Sequence, residues 1–247
     1  MLDLQRTLPT LNCLGCPHFV EHYALVDHRE RLTTQLHSLS HSLSEQNLTL
    51  LPDYQVKLDV LHALDCIDNH NIVRLKGQVA CCINVGHELV LTELILNNVF
   101  ARYAPPEIAA LLSCFVFQDR HVEEPELLPS LQEVKETLVD TTRKVAQVQD
   151  DCGVFDVSVE SAVEDSLCFG LMEVTYEWAR GMNFKQITQL TEVQEGSIVR
   201  AIVRLDDTCR DIKNAARVVG DSHLYRKMEE VSQLVKRDIV FAASLYF

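Results

Sequence analysis

"EGSIVRAIVRLDDTCRDIKNAARVVG", Glu195 to Gly220, is the stretch from which the fold is read. At about 100° per residue, Ile198, Ile202, Leu205, Cys209, Ile212 and Ala216 fall on one side of a helix. Val199 and Val203 widen that side, so the apolar face spans nearly half the circumference. A face this broad is packed against neighbours on two sides, which puts the helix inside a bundle. Upstream, Thr191 and Gln194 fit the capping box S/T-x-x-E/Q that opens such a helix, and Gly220 closes it.

The opposite strip carries Arg200, Arg204, Asp207 and Asp211, with Ser197 at its edge. Two readings compete. In one, the strip is a solvated face with an Arg204–Asp207 ion pair worth about 0.3 kcal/mol. In the other, Arg200 or Arg204 points into a channel and touches a phosphate or stacks on a base, both of which a guanidinium can do. The segment before it adds a third. A short helix in "NFKQITQLT", a turn and a longer helix with exposed arginines resemble a helix-turn-helix.

Net charge weighs on that choice. Thirty-six acidic residues face 22 basic ones, a formal charge of −14. The summed field repels polyanions at long range, which counts against duplex binding on a broad basic surface. Any nucleic-acid contact must be local or be helped by a basic partner. The acidity fits equally a surface that docks onto something basic.

The rest of the chain repeats the helical theme. Hydrophobic residues make up 47% of its 247 positions, while Gly (8) and Pro (7) are scarce, the composition of a mostly helical protein. Helices are expected over His87–Val99, from Pro105-Pro106 through "EIAALLSCFVFQ", and over Ser130–Asp151 with Gly153 as its stop. One long helix is expected from Ser158 to about Gly181, and a last one, capped by Asp221 or Ser222, to about Phe241. Upstream, "DYQVKLDVLHALDCID" is a helix with a broad apolar face. "NHNIVRLKGQVACCI" differs. Ile72, Val73 and Leu75 between polar turns predict a short β element, and Val79–Ile83 a second apolar run. Pro17–Gln46 shows only a narrow stripe, Leu32, Leu36, Leu39 and Leu43, as on a solvated helix pair or stalk. The expected fold is mainly α. A helical bundle (87–247) is preceded by a small winged-helix-like α+β fragment (51–86) and a helical stalk segment (1–50).

Chemistry of the chain's own is not visible. The sequence holds no G-x-x-x-x-G-K-[ST] phosphate loop, no D-E-x-H/D, no G-x-S-x-G and no H-E-x-x-H. Cys13, Cys16, His18 and His22 offer ligand types for zinc, but a structural site usually separates its ligand pairs by a longer loop. Metal, redox and plain reduced loop all stay open there, and no metal is assigned. Cys81-Cys82 read as small core residues. Nine cysteines, an odd number, without a secretory leader predict reduced thiols in cytosol or nucleus. No stretch approaches the length of a membrane span.

At this point longer blocks resemble a family. "FGLMEVTYEWARGMNFKQITQLTEVQEGSIVRAIVRLDD" (Phe169–Asp207), "NAARVVG" (Asn214–Gly220) and "KRDIVFAASLYF" (Lys236–Phe247) are similar to the C-terminal domain of exosome-associated DExH RNA helicases. "LPDYQVKLDVL", "LKGQVACCINVGHELVLTELI" and "LLSCFVFQDR" match the same family upstream, so the resemblance covers Leu51 to Phe247. "LNCLGCPHFVEHY" (Leu11–Tyr23) further resembles the returning arm of the arch insertion in the superkiller-type cytoplasmic member, more than the nuclear-exosome member.

The resemblance implies a layout: the end of an arch stalk, the remainder of a winged-helix domain, and a bundle against which two RecA-like ATPase domains rest. It implies unwinding of RNA and its threading 3′ to 5′ into the exosome. In the family the helix with E-G-S-x-x-R-x-x-x-R-L lies along the RNA channel. Arg204 matches its RNA-contacting arginine, and Arg200 shares the strip. Asp119 stands where the family usually has Glu, with a shorter reach. Implied partners are single-stranded RNA, the RecA-like domains, tetratricopeptide-repeat and WD-repeat subunits of a superkiller-type complex, and the RNA exosome, with no membrane. ATP and magnesium are expected only with the ATPase domains, whose motifs this chain lacks, so no cofactor is assigned to it. The implied location is cytoplasmic, or nuclear for the other subfamily. The competing expectation is a non-enzymatic helical protein-interaction scaffold.

Overall fold

A computed structural model describes residues 15–42, 51–119, 122, 125, 127–154, 158–237 and 240. The chain divides into two compact units, Met1–Tyr54 and Gln55–Phe247. In the first, helix α1 (Phe19–Ser42) leaves Tyr23, Leu32, Leu36 and Leu39 more than half exposed. The narrow leucine stripe thus forms on a helix, as its spacing predicts. Leu43 and Cys13 lie outside the described residues. Of the neighbouring ligand types, His18 pairs with Glu21 at 3.4 Å, and Cys16 Sγ lies 3.6 Å from His22 Nδ1.

The second unit begins within α2 (Leu51–Ala63), at Gln55, and continues into a tight loop. The Asp68 carboxylate accepts hydrogen bonds from the backbone of His70 (2.8 Å) and Ile72 (2.9 Å), which holds its pKa below the usual carboxylate range. The β element expected around Ile72–Leu75 is reduced to one antiparallel bridge, Ile67 to Val73, and the described residues contain no strand. The run that follows is helical instead, as α3 (Leu75–Ala80). Gly77 explains the choice. A Cβ there would meet the Cys66 carbonyl and Val73, so only glycine lets α3 lie this close to the loop. A single bridge would have left the backbone groups of 75–80 without partners, whereas a turn of helix pairs them locally.

The remaining helices are α4 (Glu88–Leu96), a 3₁₀ turn (Val99–Arg102), α5 (Pro105–Val116), α6 (Pro129–Asp151), α7 (Val159–Ser166), α8 (Met172–Arg180), α9 (Phe184–Ile187), α10 (Glu195–Val219) and α11 (Ser222–Val235). The mainly α bundle expected from composition is what forms. Prolines open α5 and α6. Gly220 ends α10 in the left-handed region (φ 83°), and the Asp221 side chain caps α11 by accepting from His223 and Leu224.

Three local expectations are corrected. Ser158–Gly181 is two helices, α7 and α8, because Leu167 turns inward in extended backbone and Gly170 makes a close approach. The capping box at Thr191 is not used. Thr191 Oγ1 accepts from the Val193 backbone at 3.3 Å, and Gln194 takes the cap position without a side-chain bond. Cys81 is exposed and not a core residue, whereas Cys82 is half-buried and packs against the core. Cys66, Cys114 and Cys209 are the buried thiols, and burial pushes each of their pKa values upward.

Helix α10 packs on α11, α5 and α3, and α5 packs in turn on α8 and α11. All six residues of the apolar stripe, Ile198 through Ala216, are buried. Val199 is half-buried and Val203 exposed, so the face is narrower than its composition suggests. Trp178 of α8 sits at the junction. Its Nε1 donates to the Val235 carbonyl at 2.9 Å, and the Arg237 guanidinium stacks 3.7 Å above its ring.

Candidate nucleic-acid interface

The strip opposite the buried stripe of α10 faces two adjoining concavities. The first, about 650 Å³, lies between α10, the 84–86 loop and the end of α5. The second, about 440 Å³, lies between α10 and residues 116–119. Val116, Gln118 and Arg204 line both. Arg200 and Asp119 line the second, so all three site residues read from the sequence come together around one hollow.

Their electrostatic states differ. Arg200 Nη2 donates to Ser197 Oγ at 3.0 Å, one turn back on its own helix. Arg204 is exposed, and its guanidinium has no hydrogen-bond or ion-pair partner among the described residues. The expected Arg204–Asp207 pair does not form. Asp207 pairs instead with Arg210 at 3.2 Å. Arg210 also reaches Asp206 at 3.3 Å, and so is held between two carboxylates. Asp211, expected on the solvated strip, accepts from the Asn84 backbone (2.8 Å) and Asn84 Nδ2 (3.2 Å) and pins the 84–86 loop to α10.

Asp206 is the residue that pattern reading passes over. It is buried, and receives Ser232 Oγ at 2.6 Å, Lys236 Nζ at 2.8 Å and Arg210. Two acids in series, Asp206-Asp207, look like one solvated run. The sequence signal that separates them is phase. At about 100° per residue Asp206 falls between Ile202, about 40° to one side, and Val199, about 20° to the other, inside the widened apolar arc.

The opposite wall is set by packing. Phe117 leaves α5 in extended backbone and is buried, which turns Gln118 outward. His87 opens α4 in the left-handed region (φ 56°) with its ring 5.5 Å from Phe115, and burial lowers its imidazole pKa. Gly170 seats the segment that follows Phe117. An added Cβ would come within 2.9 Å of Val122 and 3.3 Å of Phe117. Gly170→Ala is therefore expected to cost about 1–3 kcal/mol, as overpacking does, and to displace the wall bearing Gln118 and Asp119. A thermal melt read by circular dichroism checks the cost, and an unchanged midpoint would show that the wall yields freely.

The arrangement suits a single strand better than a duplex. In the first concavity Arg204 and Arg210 face Asp207 and Asp211, a balanced set. In the second, two arginines face one carboxylate. Such a surface does not accumulate phosphates along its length, but it presents one uncommitted guanidinium to a planar or anionic group. The helix-turn-helix reading loses its basis here, since the exposed basic surface that it needs is absent from the described strip.

Comparison with known proteins gives the context. The DSHCT (NUC185) domain profile matches residues 70–242. The chain is 43% identical over 244 residues to DExH-box ATP-dependent RNA helicase DExH11 of Arabidopsis thaliana, covering 99% of this chain and 18% of that protein. It is 42% identical to Antiviral helicase SKI2 of Saccharomyces cerevisiae (96% and 18%) and 40% identical to Superkiller complex protein 2 of Homo sapiens (98% and 19%). The chain thus spans about a fifth of the length of the curated relatives it matches. Arg200, Arg204, Gln118 and Asp119 all lie within the matched domain. The chain belongs to the DSHCT (NUC185) domain family, the C-terminal domain type of superkiller-type and related DExH RNA helicases.

Proposed function

We propose that this chain is an RNA-binding, RNA-guiding module of an ATP-dependent 3′–5′ RNA helicase acting in exosome-mediated RNA decay. One observation carries the reading: on a helix whose neighbouring charges Arg210, Asp206, Asp207 and Asp211 are paired, Arg204 has no partner among the described residues and lies at the junction of two concavities. Arg204 takes the principal contact to single-stranded RNA, by stacking or by charge, with Arg200 and Asp119 beside it. DExH11, an RNA helicase by name, and SKI2, a helicase by name, support the substrate class.

ATP hydrolysis and its magnesium belong on this reading to RecA-like domains, because the chain's sequence has no phosphate loop. Those domains would form the facing wall of the channel. Superkiller-type tetratricopeptide-repeat and WD-repeat subunits and the RNA exosome are the proposed larger partners, in the cytoplasm. Residues 1–50 then act as the end of a stalk, 51–86 as the winged-helix remainder, and 87–247 as the bundle. Among the described residues no helix is long and apolar enough to cross a membrane.

Retention on immobilised single-stranded RNA at low salt, lost in the Arg200→Ala/Arg204→Ala double variant, is the expected result. Equal retention of the variant would remove the basis of the reading. A second reading, a helical protein-interaction scaffold, has its own observation in the exposed Tyr23, Leu32, Leu36 and Leu39 of α1. It predicts partner capture that depends on those residues and is indifferent to Arg204.

A further inference from the structure

The groups that line the two concavities are mostly committed. Arg210 is held by Asp206 and Asp207, Asp211 by Asn84, and Arg200 by Ser197. Gln118 is not. It is exposed, it lines both hollows as Arg204 does, and its amide has no partner among the described residues. Its backbone is anchored on one side by the buried Phe117 that precedes it, and its side chain shares both hollows with Arg204.

We propose that Gln118 is a second RNA-contacting side chain, bonding a neutral polar group of the same nucleotide that Arg204 engages. This rests on the RNA-binding reading above. An amide presents one acceptor oxygen and two donor hydrogens. It therefore matches the ribose 2′-hydroxyl, which both donates and accepts, or a base edge that carries a donor beside an acceptor. It does not match a phosphate as an ionic partner. Asp119 and Asp207, which border the hollows that Gln118 lines, also disfavour a phosphate there. Arg204 supplies the stacking or ionic contact, which is tolerant of sequence. Gln118 supplies the directional bond, which is sensitive to what the nucleotide displays.

The test uses the 247-residue chain and a short, labelled, mixed-sequence oligoribonucleotide, with DNA of the same sequence as a second probe. Binding is read by fluorescence anisotropy at several salt concentrations. Gln118→Ala is expected to weaken RNA binding about three- to tenfold, the scale of one neutral hydrogen bond, with no change in melting temperature. The dependence of affinity on salt should not change, because no charge is removed. A loss on RNA but not on DNA identifies the 2′-hydroxyl as the group bound. An equal loss on both identifies the base edge. Wild-type affinity for RNA in Gln118→Ala, with Arg204→Ala weakened, overturns the role of Gln118 and leaves the RNA reading standing. If the unaltered chain binds no RNA, or Arg204→Ala binds as it does, the RNA reading falls and the role of Gln118 falls with it.

Discussion

Arg204→Ala is expected to weaken binding of single-stranded RNA about five- to hundredfold while leaving the fold intact. The size follows from what the side chain does. Stacking of a base on an aromatic ring is worth about 1–3 kcal/mol by alanine substitution, the scale adopted for a base on the guanidinium plane, and about 1.4 kcal/mol is a factor of ten. The fold should not notice, because the guanidinium has no partner among the described residues and is exposed. Surface changes of that kind stay within about 0.5 kcal/mol. Arg204→Lys separates the two kinds of contact. Lysine keeps the charge but loses the plane, so a stacking contact falls nearly as far as with alanine, and an ionic one largely survives. The salt dependence gives an independent measure, since loss of a phosphate contact lowers the slope by about one. Arg143→Ala is the control. Its guanidinium pairs with Asp140 on α6 and lines neither concavity, so RNA affinity should change little. An Arg204→Ala variant that binds RNA as tightly as the parent would return this strip to the solvated face that its sequence first suggested.

That strip shows how far the sequence can be read. Period and turn chemistry are local, and they were legible. The buried stripe of α10, the proline pair opening α5, Gly220 as stop and Asp221 as cap all stand where spacing predicts. The three site residues also converge on one hollow, although Asp119 is far from Arg204 in sequence. What was not legible depends on contacts between distant segments. The run 75–80 is short and apolar, which suits strand and helix alike. A close approach at Gly77 to the Cys66 carbonyl decides it. The division of α7 from α8 depends on Phe117 and Val122 meeting Gly170. The partner of Asp207 could not be chosen from spacing, since Arg204 and Arg210 both lie three residues away, one on each side. Asp206 tips the choice by drawing Arg210 toward itself, and it does so because Ser232 and Lys236 of the following helix and its end make a buried carboxylate tolerable. Arg204 is left over for that reason. The free guanidinium is thus a product of tertiary packing on the other side of α10.

Trp178→Ala is expected to be the most destabilising single change in the bundle, at about 4 kcal/mol. The indole is fully buried, with Phe184 edge-on at 6.2 Å. Truncating a buried tryptophan typically costs about 3–5 kcal/mol through lost transfer energy and residual cavity. Two further losses apply here. The Val235 carbonyl loses the donor that Nε1 provides, and Arg237 loses the ring on which it stacks. Arg237 also donates to the carbonyls of Trp178 and Met182, so its guanidinium is held in place after the ring has gone. A cation over an empty cavity is worse solvated than one over an aromatic face. For a unit of this size about 4 kcal/mol corresponds to a fall of roughly 8–16 °C in Tm, readable by circular dichroism. Trp178→Phe divides the sum. It keeps a ring for Arg237 but removes the N–H, and should cost about 1–3 kcal/mol, the penalty of an unpaired buried carbonyl plus a small volume loss. If Phe proves as damaging as Ala, the hydrogen bond to Val235 and not the packing holds α8 to the end of α11. The consequence reaches the interface, because α8 is the helix on which α5 rests, and α5 ends at the wall that carries Gln118 and Asp119. A melted Trp178 junction should therefore abolish RNA retention at temperatures where Arg204→Ala merely weakens it.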